Sequence, residues 1–190
     1  MDPTTAIRTD TLPAIGTIVA PGACVSAPYL WVFVSPNKVI AFIDRHEAIS
    51  VLLGLVVCVT AGLFVESVGS YVEYYLIDLP KENRAEILDD WWHFLRTKWP
   101  NEPVGLHYLR RILVSFKFEL NTCVAAFGTI PGIVILGFRG VLGSFTVFGL
   151  VTVSLIVSAL MFNMADTSAG ILADVRKQLL RGVSEPSIQP

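Results

Sequence analysis

The sequence predicts an all-α protein with four transmembrane helices. Hydrophobic residues make up 53% of the 190 residues and charged residues only 16%, whereas a soluble domain averages about a quarter charged. Charged residues are scarce only in four long apolar runs, which alternate with segments of ordinary polarity. A span needs about 20 mostly apolar residues, because a helix rises about 1.5 Å per residue through about 30 Å of hydrocarbon. The pattern therefore indicates a polytopic membrane protein.

The first apolar run, residues 12–34, carries no charge but contains three prolines. Pro13 suits a helix start, whereas Pro21, followed by Gly22, removes a backbone N–H in mid-run and should kink or break the helix. A bilayer tolerates the freed carbonyl only where neighbouring protein or water satisfies it. The run is therefore either one kinked span or a re-entrant pair of half-helices, and we favour the kinked span.

The second run, residues 48–65, is dense in leucine and valine and is the least interrupted. Its helical pattern continues through Tyr71, Tyr74 and Tyr75 until Pro80. Tyrosines are enriched where helices leave the hydrocarbon. We therefore expect this helix to emerge from the membrane and to continue beyond it.

The third and fourth runs, residues 120–138 and 141–164, are separated only by a tight turn at residues 138–140. Spans this close in sequence must form an antiparallel hairpin. The tail, residues 166–181, keeps helical spacing and ends in basic residues, as helix C-termini often do. The sequence thus predicts a C-terminal helix outside the membrane.

A polar section, residues 79–119, lies between the second and third runs. Residues 81–99 have apolar positions at helical spacing on one face, and a second amphipathic helix is expected after Pro103, leading into the third run. The tryptophans of the first helix are Trp91, Trp92 and Trp99. Such a helix either lies on the membrane surface or packs against the second helix as a small bundle, and both arrangements stay open.

The distribution of basic residues predicts the orientation. Of the 14 lysines and arginines, 11 fall in the N-terminal segment, the central section and the tail, which share one side of a four-span protein. The positive-inside rule then places both termini and the central section in the cytoplasm. We expect an integral protein of a bacterial inner (cytoplasmic) membrane. Residues 1–68 form an N-terminal transmembrane pair, 69–119 a cytoplasmic helical section, and 120–190 a hairpin with a C-terminal helix, all in one structural unit.

Composition and motifs argue against several classes of function. The net charge of −2 offers no general basic surface, so we expect no direct binding of nucleic acid. The cysteines form no CxxC pair and the histidines lack metal-ligand spacing, so we expect no metal and no cofactor. The sequence contains no recognisable nucleophile–base pair or phosphate-binding motif. We therefore expect no enzymatic activity and name no catalytic residue.

A stripe of small and acidic residues at the end of the second run is the first candidate site. Gly62, Glu66, Gly69 and Glu73 recur at steps of four, three and four, so they share one helix face. Small residues allow close helix contact, and carboxylates in such a stripe can line a cation path or bind a partner. Glu66 can face an oligomer axis or pair with a cation of the central section. We interpret the four as pore or helix-contact candidates. The alternative is that both glutamates simply lie at headgroup depth.

The polar approach to the third run supplies candidates for contact with a partner or with the membrane interface. Lys117 can extend to the interface, and Glu119 can pair with a basic residue such as Arg110 or Arg111. Together with the tryptophans of the central section, the candidates for contact with a partner or with the membrane interface are Trp91, Trp92, Trp99, Arg110, Arg111, Lys117 and Glu119.

Four spans in 190 residues leave little room for a substrate cavity within one subunit. The sequence therefore favours a small membrane scaffold or sensor subunit, in contact with lipid, that self-associates and binds a cytoplasmic protein through its central section and tail. The alternative is a homo-oligomeric ion channel or membrane-permeabilising effector, with Glu66 near the axis. A lipid-modifying enzyme that uses Glu66, Glu73 and Asp78 ranks last, because no catalytic constellation accompanies these carboxylates.

Overall fold

The computed structural model describes residues 3–34, 36–78 and 104–184, which form five α-helices. The helices are α1 (Pro3–Phe33), α2 (Pro36–Arg45), α3 (Glu47–Val72), α4 (Val104–Phe138) and α5 (Ser144–Ser184). A π-helical turn, Glu73–Asp78, continues α3. The amphipathic helix predicted for residues 81–99 lies outside the described residues.

Four of the described helices are long and apolar enough to cross a membrane. The candidate spans are Ile15–Phe33, Glu47–Ile77, Tyr108–Phe138 and Ser144–Val175. The prediction of an all-α protein with four apolar helices of spanning length is thus confirmed. All four helices are longer than the runs seen in the sequence: α1 begins before the first run does, and α3, α4 and α5 continue beyond the roughly 20 residues that a bilayer requires. The helix expected after Pro103 runs without a break into the third span as α4.

The packing places α1 and α4 at the centre of the bundle. α4 packs against both α5 and α1, and α1 packs in turn against α3. Of the four candidate spans, the one in α4 is the most buried and the one in α5 is the least buried. The outer faces of α3 and α5 are therefore the large apolar surfaces that this arrangement leaves for lipid or for other proteins.

The first run is one unbroken helix and not a pair of half-helices. Pro21 lacks the N–H that would donate to the carbonyl of Thr17, four residues earlier. The side-chain Nδ2 of Asn121, on α4, donates to this carbonyl instead, at 3.1 Å. A neighbouring helix therefore satisfies the carbonyl that Pro21 frees, which is the condition for proline inside a span.

A polar side chain of the turn that follows α4 closes the C-terminal end of α1. The carbonyl of Val32 would take its helical hydrogen bond from the residue at position 36, which is a proline. The Nη1 of Arg139 donates to that carbonyl. Between these two ends, the hydroxyl of Tyr29 donates to the carbonyl of Gly128 at 2.8 Å. Hydrogen bonds thus tie α1 to α4 along much of its length.

α1 and α3 cross in direct backbone contact. A Cβ atom at Gly22 would overlap the carbonyl oxygen of Cys58. A Cβ atom at Gly62 would overlap the carbonyl oxygen of Ile18 and would lie 2.7 Å from its Cγ2. Only residues without a side chain permit two helices to approach this closely.

α4 and α5 form the predicted antiparallel hairpin. Gly140 in the turn has a φ of +70°, a left-handed conformation that favours glycine. Within the hairpin, the hydroxyl of Ser158 donates to the carbonyl of Cys123 at 3.1 Å. α5 begins at Ser144, slightly later than the apolar run indicated, because residues 139–143 are used by the turn.

Candidate functional site

Polar groups of four helices meet at one level of the bundle, which we call the polar layer. Its members are Thr17 of α1, Glu73 at the end of α3, Lys117, Glu119 and Asn121 of α4, and Ser168 of α5. From Glu119 to Phe138, α4 rises about 29 Å, close to the roughly 30 Å of bilayer hydrocarbon. The part of α4 between the polar layer and the α4–α5 turn therefore has the length that is needed to cross a membrane.

Glu73 and Lys117 form an ion pair between α3 and α4. The Nζ of Lys117 lies 2.5 Å from Oε2 of Glu73, and the two side chains are 30% and 25% exposed, so the pair is partly desolvated. Glu73 is also the first residue of the π-helical turn, a feature that is frequent at functional sites. The ion pair joins two candidates that the sequence analysis had assigned to separate sites.

Breaking this pair should destabilise the junction of α3 and α4. We expect Glu73→Gln and Lys117→Met each to lower the free energy of unfolding by about 1 kcal/mol, because each leaves a partly buried charge without its partner. The double variant should lose less than the sum, by a coupling energy of about 1 kcal/mol. The measurement is a double-mutant cycle of unfolding in mixed micelles. Arg111→Met, at an exposed position of α4, is the control, and additive losses would contradict the pairing.

Glu119 is buried between α4 and α5. Only 8% of the residue is exposed, and its Oε2 accepts a hydrogen bond from Oγ of Ser168 at 2.7 Å. The sequence analysis considered Arg110 and Arg111 as partners of this carboxylate, and it did not single out Ser168. The observed contact links the last part of α5 to the point where α4 enters the apolar bundle.

Asn121 joins three helices at the base of the polar layer. It is 2% exposed, and its Nδ2 reaches the Thr17 carbonyl of α1. Its Oδ1 has no hydrogen-bond partner among the described residues and lies against Gly69 of α3, where a Cβ atom would come within 2.9 Å of it. Because Gly69 has no side chain, it leaves the space that the Asn121 amide occupies.

The predicted stripe of α3 faces the neighbouring helices of its own chain. Gly62 meets α1, Gly69 meets Asn121 of α4, and Glu73 pairs with α4. Glu66 is partly buried, and no ion pair links it to another described residue. Three of the four stripe residues thus hold the bundle together and are not free to line an axis between copies.

The ends of α3, α4 and α5 pack into one helical unit, which we call the platform and define as residues 72–78, 104–120 and 162–184. A cluster of buried apolar residues, each at most 2% exposed, holds it together. The cluster consists of Ile77, Phe116, Leu120 and Ala165, with Val72, Phe162 and Ala169 packed around it. This buried cluster therefore lies near the polar layer, at the end of the bundle remote from the α4–α5 turn.

The platform presents charges of both signs on its surface. The exposed charged residues include Arg110, Arg111, Asp174 and Lys177. Of the partner candidates, Arg110 and Arg111 thus lie on the platform surface, whereas Lys117 and Glu119 lie in the polar layer. Trp91, Trp92 and Trp99 lie outside the described residues. The described part of the platform therefore has a charged, solvent-exposed surface.

Three tyrosines lie on α3 and its π-helical turn, two of them within the platform. The rings of Tyr71 and Tyr75 are stacked with centroids 6.5 Å apart, and the rings of Tyr74 and Tyr75 meet edge to face at 4.8 Å. Tyr71 and Tyr75 are largely exposed. Their position at the level of the polar layer is the one expected for an interfacial aromatic belt.

The other features of the described chain carry little polar chemistry. An apolar cleft of about 370 Å³ lies between α4 and α5 near their turn, lined by residues such as Val134, Gly137 and Val147. Among the residues described, no three His, Cys, Asp or Glu side chains converge so that they could hold a metal ion.

The described fold is an all-helical bundle in which four of the five α-helices are of membrane-spanning length, with a packed helical platform at one end. No protein-family model, no curated protein and no solved structure matches this chain.

Proposed function

We propose that the protein is a small membrane scaffold or sensor subunit that binds a cytoplasmic protein through its platform and associates with copies of itself. The observation that carries this proposal is the continuity of α3, α4 and α5. Each helix runs from the candidate span into the platform without a break, apart from the π-helical turn that extends α3. A partner bound to the platform would therefore be mechanically linked to the spans.

The distribution of charge supports a cytoplasmic platform. The basic residues of the platform, together with those of residues 79–103, belong to the side that carries 11 of the 14 lysines and arginines. Such an excess is typical of the cytoplasmic side of inner-membrane proteins. The largely exposed outer faces of α3 and α5 provide surfaces for self-association within the bilayer.

The channel alternative receives less support from the geometry. A pore between copies would need polar residues that face outward from each subunit. Gly62, Gly69 and Glu73 face inward, toward α1 and α4. Glu66 is the stripe residue that still fits a pore, so Glu66→Gln is the variant that separates the two functions.

Native mass spectrometry of the tagged full chain, extracted gently from its own membrane, tests the proposal. We expect complexes that contain a second polypeptide together with one or more 20.8 kDa chains. The charge reversal Arg111→Glu, on the exposed platform surface, should reduce the bound partner several-fold. The matched reversal Arg45→Glu, exposed at the opposite end of the bundle, should leave partner binding unchanged.

Two results would contradict the scaffold function. One is partner binding that is as strong in Arg111→Glu, and in other charge reversals across the platform, as it is in Arg45→Glu. The other is a closed homo-oligomer without a second polypeptide that conducts ions in liposomes, with a flux that Glu66→Gln changes. The second result would establish the channel alternative.

A further inference from the structure

The short helix α2 has an apolar face that the bundle does not cover. Ile40, Phe42 and Ile43 are 55%, 43% and 44% exposed. At about 100° per residue, these three positions fall within about 160° of the helix circumference. Ala41, Asp44 and Arg45 occupy the opposite part. α2 is therefore strongly amphipathic, and the described residues leave about half of Ile40, Phe42 and Ile43 exposed.

The crossing of α1 and α3 determines the height of both ends of α2. At the crossing, Gly22 of α1 contacts Cys58 of α3. The separation from Gly22 to the end of α1 at Phe33 equals the separation from Cys58 to the start of α3 at Glu47. Both helix ends thus lie about 17 Å above the crossing, by the helical rise. Because α2 connects two points at similar heights, its axis runs approximately parallel to the membrane plane.

The joint between α2 and α3 turns the chain away from the axis of the span. His46 is the single residue between the two helices, and its φ of −140° and ψ of 57° lie outside the helical region. Its N–H completes α2 by donating to the carbonyl of Phe42, and its own carbonyl accepts from the N–H of Ser50 in α3. His46 therefore takes part in the last turn of α2 and in the first turn of α3 through backbone hydrogen bonds, so the bend keeps both turns hydrogen-bonded.

The exposed apolar face of α2 continues into the lipid-facing surface of the adjoining span. The first turns of α3 expose Ile49, Val51, Leu52 and Leu53. From Gly69, at the base of the polar layer, α3 rises about 33 Å to Glu47, which is close to one hydrocarbon thickness. The corner therefore lies at the membrane boundary opposite the polar layer, where an amphipathic helix partitions into the headgroup region.

We propose that α2 is a phospholipid-binding interfacial helix, which lies in the headgroup region opposite the polar layer with Ile40, Phe42 and Ile43 among the acyl chains. The occupant of this face is the bilayer surface itself. The helix caps the α1–α3 pair and fixes the depth of the bundle in the membrane. This inference does not depend on the proposed scaffold function.

Spin-label accessibility in liposomes tests this placement. The native cysteines are replaced with alanine, and labels are attached to Ile40→Cys, Ile43→Cys, Ala41→Cys and Asp44→Cys. We expect collision with oxygen, which concentrates in the acyl region, to be several-fold higher at positions 40 and 43 than at 41 and 44. Collision with an aqueous nickel chelate should show the opposite pattern. Thermal unfolding that matches the unmodified chain checks that the labelled proteins are folded.

A photoactivatable phospholipid on the unmodified chain gives a second readout, since labelling at Ile40, Phe42 or Ile43 needs no substitution. Two outcomes would overturn the proposal. Equal access of the nickel chelate to all four labels would place α2 in water. Protection of positions 40 and 43 from both reagents, without lipid labelling, would mean that protein and not lipid covers this face.

Discussion

Gly62→Ala is expected to lower the free energy of unfolding by about 3 kcal/mol, a large part of the 5–15 kcal/mol typical of a folded domain. The added Cβ would overlap the carbonyl oxygen of Ile18, which belongs to the backbone of α1 and cannot rotate away. α1 and α3 would have to separate, and other contacts between them would weaken. The gain in helix propensity from alanine, about 1 kcal/mol, is too small to compensate. Equilibrium unfolding in mixed micelles, followed by circular dichroism, measures the loss.

Gly54→Ala is the matched control on the same helix. Nothing lies within 4 Å of a Cβ at this position, so we expect unchanged stability or a gain of up to about 1 kcal/mol. Gly22→Ala, on the other side of the crossing, should reproduce the loss seen for Gly62→Ala. If Gly62→Ala proves as stable as Gly54→Ala, the backbone contact between α1 and α3 is not a feature of the folded protein.

The helical architecture was accessible from the sequence because each span must satisfy a strict length and polarity requirement. Uncharged runs of about 20 residues have few structural alternatives, so α3, α4 and α5 could be anticipated. α2 could not be found in this way, because its ten residues are too short for a spanning run. Its alternation of apolar and charged residues was the signal, and a search at the scale of interfacial helices would have detected it.

The partners within the polar layer were harder to predict. The spacing of Gly62, Gly69 and Glu73 showed that they share a face, but spacing on one helix does not reveal which helix packs against that face. Asn121 was overlooked, although an amide at the edge of an apolar run is a common donor between helices. Nothing in the sequence distinguishes Ser168 from other serines, because only the tertiary fold brings its hydroxyl close to the carboxylate of Glu119.

The pairing of Pro21 with Asn121 could have been posed as a question from the sequence. A proline within a span frees one carbonyl, and that carbonyl needs a donor from elsewhere. The proline alone implies this requirement but does not reveal which residue is the donor. The structure identifies it as Nδ2 of Asn121, which lies a hundred positions further along the chain. The proline therefore contributes to specificity, because α1 is complete only when it is docked on α4.

Asn121→Leu is expected to lower the free energy of unfolding by about 2 kcal/mol. Leucine has a similar size, but it cannot donate to the carbonyl of Thr17, and an unpaired carbonyl in an apolar environment costs about 1–3 kcal/mol. Pro21→Ala should rescue the variant, because alanine restores the N–H that bonds to Thr17 within α1. In the Pro21→Ala background, the loss caused by Asn121→Leu should therefore fall well below its value in the wild type.

Pro28→Ala is the control for this rescue. It also restores an N–H within α1, but the carbonyl concerned is that of Cys24 and not that of Thr17. Asn121→Leu should therefore cause its full loss in the Pro28→Ala background, as measured by unfolding in mixed micelles. An equal loss in all three backgrounds would show that Asn121 stabilises the bundle through packing alone. A loss that disappears only with Pro21→Ala would establish that α4 supplies the hydrogen bond that proline removes from α1.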